Sequence, residues 1–133
     1  MHDEVGYNYR LPNLNAALGC EQLEQLPGFL RDKRLLFEQH RTAFNKVPGM
    51  NLVSEPAGCK SNYWLQALLL DAANPDQRDA VLTAANDAGM MTRPFWELMP
   101  SLPMHGNNPK APIPVSESLE QRLINIPSSS GLI

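Results

Sequence analysis

Cysteine is scarce in this chain: Cys20 and Cys59 are the only two in 133 residues. That excludes a disulfide framework, and a chain of this length can bury enough apolar surface without staples. A reducing cytoplasm is the expected compartment, with both thiols as small, partly buried apolar side chains. Basic charge is also short. Eleven Lys and Arg against fourteen Asp and Glu leave a net charge of -3 and a pI near 5.5, without the basic stripe a phosphate backbone needs, so nucleic acid is not an expected partner. Long apolar runs are missing too. Segments such as Ala67 to Leu70 fall far short of the roughly 20 residues that cross a bilayer, and Met1 leads directly into His2, Asp3 and Glu4. Neither a membrane span nor a signal peptide is expected.

Stand-alone catalytic motifs are absent as well: there is no phosphate-binding G-x-x-x-x-G-K-[ST], no G-x-G-x-x-G, no G-x-S-x-G and no H-E-x-x-H. His2, His40 and His105 are scattered and neither cysteine has a second ligand at metal-binding spacing, so no zinc site is expected. Glu21 and Glu24 read as a solvated helix face, not an acid–base pair.

What the chain does have is punctuation, with twelve prolines and eight glycines. Pro12 suits the first turn of a helix, and Leu11, Leu14, Leu18, Cys20, Leu23 and Leu26 recur at roughly helical spacing until Pro27-Gly28, where a break is expected. A second helix follows, with Phe29, Leu36, Phe37, His40, Phe44 and Val47 on one face and Arg31 to Arg34, Glu38 and Arg41 on the other, ending at Pro48-Gly49. The period then changes. Met50 to Ser54 and Asn62 to Leu70 read as antiparallel strands around the loop 55–61. Asn74-Pro75, an apolar stripe of Val81, Leu82, Ala85 and Ala88, and Gly89 as a left-handed terminator mark a third helix. Met90 to Arg93 reads as a short strand. Phe95 to Pro114, with five prolines, reads as a loop outside the core. Ser116 is the expected cap of a short helix carrying Leu119, Leu123 to Ile126 a strand ended by Pro127, and Ser128 to Ser130 the cap of a helix that the sequence does not continue. Helices around a small sheet make an α/β or α+β domain with one core.

The opening Gly6-Tyr7-Asn8-Tyr9-Arg10-Leu11-Pro12 concentrates polar groups and tyrosines just before a helix start. Arg10 offers a fork of donors, Asn8 an amide, and the helix its free N–H groups, a combination suited to an anion. The same residues equally suit a capped turn with surface aromatics.

The run G-Y-N-Y-R-L-P-N-L-N-A-A-L-G, followed by Gln22 to Leu26, resembles the signature of the DegT/DnrJ-type nucleotide-sugar aminotransferases, fold type I enzymes that use pyridoxal phosphate. Arg93 to Met99, Leu102 to His105 and Ile124 to Ser129 resemble the closing part of members that aminate UDP-linked N-acetylamino sugars, of the legionaminic acid and bacillosamine type. The resemblance implies the C-terminal part of a larger cytoplasmic enzyme, truncated at both ends: residues 1–49 as the end of the large domain and connecting helices, and 50–133 as the small C-terminal domain, helices on a mainly antiparallel sheet. It further implies that the cofactor's lysine lies upstream, so that Lys33, Lys46, Lys60 and Lys110 do not take that role. On the same basis Asn8 and Tyr9 are cofactor-binding, with Asn8 reaching across a homodimer interface to the phosphate, and Arg10, Trp96 and His105 lie at the nucleotide-sugar site. The parent would pass an amino group, usually from glutamate, to a keto sugar. The contrasting expectations are a non-catalytic oligomerisation module and a small-molecule-binding regulatory domain.

Overall fold

The computed structural model describes residues 4, 6–8 and 10–133. Its elements run α1 (Asn13–Phe44), β1 (Met50–Leu52), β2 (Gln66–Leu70), α2 (Pro75–Asp87), β3 (Arg93–Pro94), α3 (Pro114–Glu120) and β4 (Leu123–Ile126), with 3-10 turns at Met99–Ser101, Pro103–His105 and Ser130–Leu132. The four strands form one antiparallel sheet in the order β1-β2-β4-β3. Registers of Leu52 opposite Leu68 and Leu68 opposite Ile124 put alternate residues of three strands on one face. Leu68, Leu70, Ile124 and Ile126 fill that face, Leu82 of α2 packs on it, and Phe44, Met50, Leu52 and Val81 close its margin. Leu70 and Ile124 are fully buried, each contributing about 1.5–3 kcal/mol of apolar transfer. The outcome is an α+β small domain carrying a long helix.

The break expected at Pro27-Gly28 does not occur, and a single helix of 32 residues passes through Pro27. Pro27 deletes one hydrogen bond, to the carbonyl of Leu23, on an exposed stretch where water can satisfy that oxygen instead. Pro12 stands one residue outside the helix, at the N-cap. Helix α2 follows its sequence signals: the Asn74 side chain accepts from Gln77 N–H, Pro75 opens the first turn, and Gly89 has φ +80. Beyond it, Asn86 donates to both the carbonyl and hydroxyl of Thr92 and accepts the Thr92 N–H, fixing the approach to β3.

β4 has the expected bounds, whereas β2 begins four residues later than its apolar pattern suggested. The reason is local: Ser61 and Asn62 side chains accept the N–H groups of Tyr63 and Trp64, removing those donors from the ladder. Helix α3 begins at Pro114 with Ile113 as N-cap, so Ser116 is inside it and caps nothing; proline's fixed φ and missing N–H favour the first helical position. The serine run leads to the turn Ser130–Leu132, which packs against α1. Phe95 to Pro114 is largely exposed but sends Leu102 inward, and Glu120 Oε1 accepts the Leu98 N–H at 3.1 Å. Both cysteines are exposed, not partly buried. Cys20 falls on the unpacked first half of α1 and Cys59 in the turn after Pro56. No helix among the described residues is long and apolar enough to cross a membrane.

Candidate functional site

Two groups of sequence-selected residues stand at separate places. Just before α1, Asn8 Oδ1 accepts the Arg10 N–H at 2.8 Å, and Arg10 has φ +71. An asparagine that satisfies the backbone two residues on makes such a left-handed turn tolerable for a residue with a Cβ. The turn leaves both side chains exposed, with the Asn8 amide nitrogen and the guanidinium as donors. No side chain caps the following helix and no acidic residue lies in its first turn, so its positive end is not neutralised locally. Tyr9 lies outside the described residues.

The second group surrounds Trp96. Its ring sits 6.2 Å from that of Trp64, tilted by 32°, and 5.5 Å from Phe95 edge-on. Trp64 was not selected from the sequence. It comes from the segment before β2, 32 residues away in the chain, and no spacing rule links them. Both indoles are more than half exposed, at 64% and 55%. His105 is apart from this pair, in the turn Pro103–His105, where Asn108 lies 3.0 Å from its Nδ1. Together with Met99, Pro100, Pro109 and Lys110 they line an open depression. Among the described residues no hydrogen bond or ring contact joins Asn8 or Arg10 to Trp96 or His105.

Beneath Trp64 is a polar network that the sequence placed on a merely solvated face. Lys33 Nζ donates to the carbonyls of Ser128 (2.5 Å), Trp64 (3.1 Å) and Tyr63 (3.4 Å). Arg34 pairs both nitrogens with the Glu55 carboxylate at 3.1 and 3.2 Å, donates to Ser61 O, and lies 5.3 Å over the Tyr63 ring. Glu55 in turn accepts the Ser61 N–H. Hydrogen bonding to Arg34 first, then to Ser61, holds the Glu55 carboxyl below its ordinary range. Tyr63 is buried, stacks on Phe37 at 4.1 Å, and has φ +48. Such a conformation costs a bulky residue about 1–3 kcal/mol and persists only where surroundings over-determine it. Burial pushes the Tyr63 hydroxyl up and the Lys33 ammonium down. Even so, an ammonium with all three donors on carbonyls has no lone pair to offer an electrophile. Buried Gln66 completes the tie, donating to Lys33 O and meeting His40 Nδ1 at 2.8 Å. No cluster able to hold a metal ion occurs among the described residues.

The DegT/DnrJ/EryC1/StrS aminotransferase family profile matches residues 1–133. A GDP-perosamine synthase of Vibrio cholerae is 36% identical over 132 residues, covering 98% of this chain and 36% of that protein. The putative pyridoxal phosphate-dependent aminotransferase EpsN of Bacillus subtilis is 30% identical over 139 residues, covering 98% and 34%. Among solved structures, Helicobacter pylori PseC, an aminotransferase involved in the biosynthesis of pseudoaminic acid, superposes with a TM-score of 0.84 at 18% identity, over 98% of this chain and 36% of that one. The chain therefore spans about a third of the length of these relatives. From end to end this chain belongs to the DegT/DnrJ/EryC1/StrS aminotransferase family, as a part of its C-terminal region.

Proposed function

We propose that the protein carrying this chain transfers an amino group from an amino acid, glutamate being the first donor to test, to a nucleotide-linked keto sugar used in glycan biosynthesis. The observation that carries this reading is the family match over the whole chain. The 36% identity to a GDP-perosamine synthase favours a GDP-linked substrate, whereas the motifs at Arg93 to Met99 and Ile124 to Ser129 favour a UDP-linked amino sugar; the nucleotide is decided by assay.

The family uses pyridoxal phosphate, which supplies the electron sink for moving the amino group. Of this chain's residues, Asn8 and Arg10 fit the phosphate end of that cofactor or of the nucleotide. Their turn offers an amide and a guanidinium as donors beside an uncapped helix start. Lys33, engaged with three carbonyls, does not fit the covalent attachment point. That lysine is assigned to the portion of the relatives this chain does not span. In this reading residues 1–49 join a large domain to the small one and the segment Phe95 to Pro114 limits water at the sugar. Exposed Leu14, Leu18 and Leu23 pack on the large domain and a second subunit, and Tyr9 lies beside the cofactor.

The test uses the full-length protein with glutamate and GDP- or UDP-linked keto sugars, following sugar mass. Transfer of one amino group to either sugar is expected, and no transfer to any nucleotide-linked keto sugar overturns the reading. Asn8→Ala should weaken cofactor affinity roughly ten- to a hundredfold, the equivalent of about 1.5–3 kcal/mol for a charged hydrogen bond, while the protein stays folded. Arg10→Ala should act mainly on nucleotide-sugar use. Loss of thermal stability with both affinities unchanged would reduce the turn to a structural role.

A further inference from the structure

We propose that the carbonyl oxygens of Tyr63, Trp64 and Ser128 form a binding site for a monovalent cation bearing N–H donors, and that the Lys33 ammonium fills it as a tethered ligand. The chemistry of this site is independent of the function proposed above.

The three oxygens come from distant parts of the chain, the segment before β2 and the stretch just beyond β4, and they meet on one nitrogen at 3.4, 3.1 and 2.5 Å. Carbonyl oxygens gathered in this way carry like partial charges, and a cation is what makes the cluster stable, as in carbonyl-lined ion sites. An ammonium has three donors and no acceptor, which matches the three oxygens one for one. Among the described residues, the carboxylates beside this stretch of α1 are taken by other cations: Asp32 by Arg31, Glu38 by Arg41 and Glu55 by Arg34. The charge of Lys33 is therefore met by backbone dipoles. The oxygens also have supports other than the lysine. The Ser128 hydroxyl donates to Trp64 O at 3.1 Å, Ser61 Oγ and Asn62 Oδ1 accept the N–H groups of Tyr63 and Trp64, and the Tyr63 ring stacks on Phe37. Gln66 Nε2 donates to the Lys33 carbonyl and fixes the helix beneath. Lys33 is only half-buried, so a small cation from solvent reaches the cluster once the side chain is cut back. Lys33→Ala removes the outer methylenes and the ammonium, which are together the atoms of n-propylammonium.

The test is hydrogen exchange read by mass spectrometry on the full-length protein, following the peptides that carry the Tyr63, Trp64 and Leu132 amides, the last of which donates to Ser129 O. In Lys33→Ala these amides should exchange about ten- to a hundredfold faster than in the wild type, the scale for a charged hydrogen bond lost from a local opening equilibrium. n-Propylammonium chloride should return at least half of the lost protection on a logarithmic scale, and saturably. Tetramethylammonium chloride, the same charge without a donor, should return none at equal ionic strength, with the wild type in each salt as reference. Lys33→Met, whose own side chain occupies the space, should be as deprotected as Lys33→Ala and indifferent to both salts. Unchanged exchange in Lys33→Ala overturns the proposal, because the carbonyls then need no cation. Equal recovery in the two salts, no recovery with propylammonium, or recovery of Lys33→Met by propylammonium also overturns it. Should Lys33→Ala not fold, its refolding yield is compared in the two salts, and a yield no higher with propylammonium than with tetramethylammonium overturns the site in the same way.

Discussion

The two halves of α1 share one backbone and differ in almost everything else. From Asn13 to Pro27 the leucines point into water, Leu14 at 81% and Leu23 at 66% exposure, and no side chain caps the start. From Gly28 to Phe44 the helix buries Leu36 and Phe37, ties Lys33 and Arg34 to the segment before β2, and lays Phe44 on the core. The lesson is that helical spacing of apolar residues announces a face without saying what covers it. Packing, not propensity, supplies most of a helix's stability in a folded domain, and here that supply ends near Gly28.

The sharpest way to break this comparison is a pair of truncations in the same helix. In residues 1–133 taken without the rest of the protein, Phe37→Ala should cost about 3–5 kcal/mol, through lost burial and the cavity left behind, whereas Leu18→Ala, exposed there, should stay within about 0.5 kcal/mol. Urea unfolding measures both. A Leu18→Ala penalty as large as that of Phe37→Ala would mean the halves are equally buried and the contrast is wrong.

A smaller effect separates the halves by pH. Glu55 has its carboxyl lowered from the ordinary 4.5 by Arg34 and the Ser61 N–H. The folded state therefore binds that proton less readily than the unfolded chain. The contribution is fully present above pH 4.5 and is lost as pH falls through the lowered folded value. Glu55→Gln should depress the melting temperature at neutral pH and flatten its decline on acidification. A wild-type acid limb retained in full by Glu55→Gln would assign that limb to other carboxylates.

The smallest change in stability is expected at the boundary itself. Pro27→Ala restores an N–H to the exposed half, where proline is disfavoured by about 3 kcal/mol relative to alanine in a helix interior. Helical circular dichroism should rise while the unfolding midpoint moves by no more than about 0.5 kcal/mol equivalent. A large midpoint increase would show that the first half is coupled to the core after all.

How much of this was legible in the sequence depended on range. Local chemistry was readable: Asn74-Pro75 and Gly89 bracket α2, and Pro127 closes β4. Pro27-Gly28 misled because proline's cost in a helix depends on whether its orphaned carbonyl can reach water. The strand pattern from Asn62 misled because two side chains outcompete the ladder for backbone donors. At the candidate site, the Asn8–Arg10 turn was visible as composition, and Trp96 through family resemblance. Trp64 and the Lys33 network were not visible, since each contact spans 30 to 95 residues and leaves no periodic trace. The exposure of both thiols was hidden for the same reason: it depends on where packing stops.

The order β1-β2-β4-β3 also decides how this domain can meet another chain. Its two edges are a strand of three residues and one of two, the latter half proline. Such edges give an incoming strand almost no run of free donors and acceptors to template on. Main-chain zippering, the usual hazard of an open antiparallel sheet, is closed to it, so any contact with another chain falls to side chains, the exposed leucines of α1 among them.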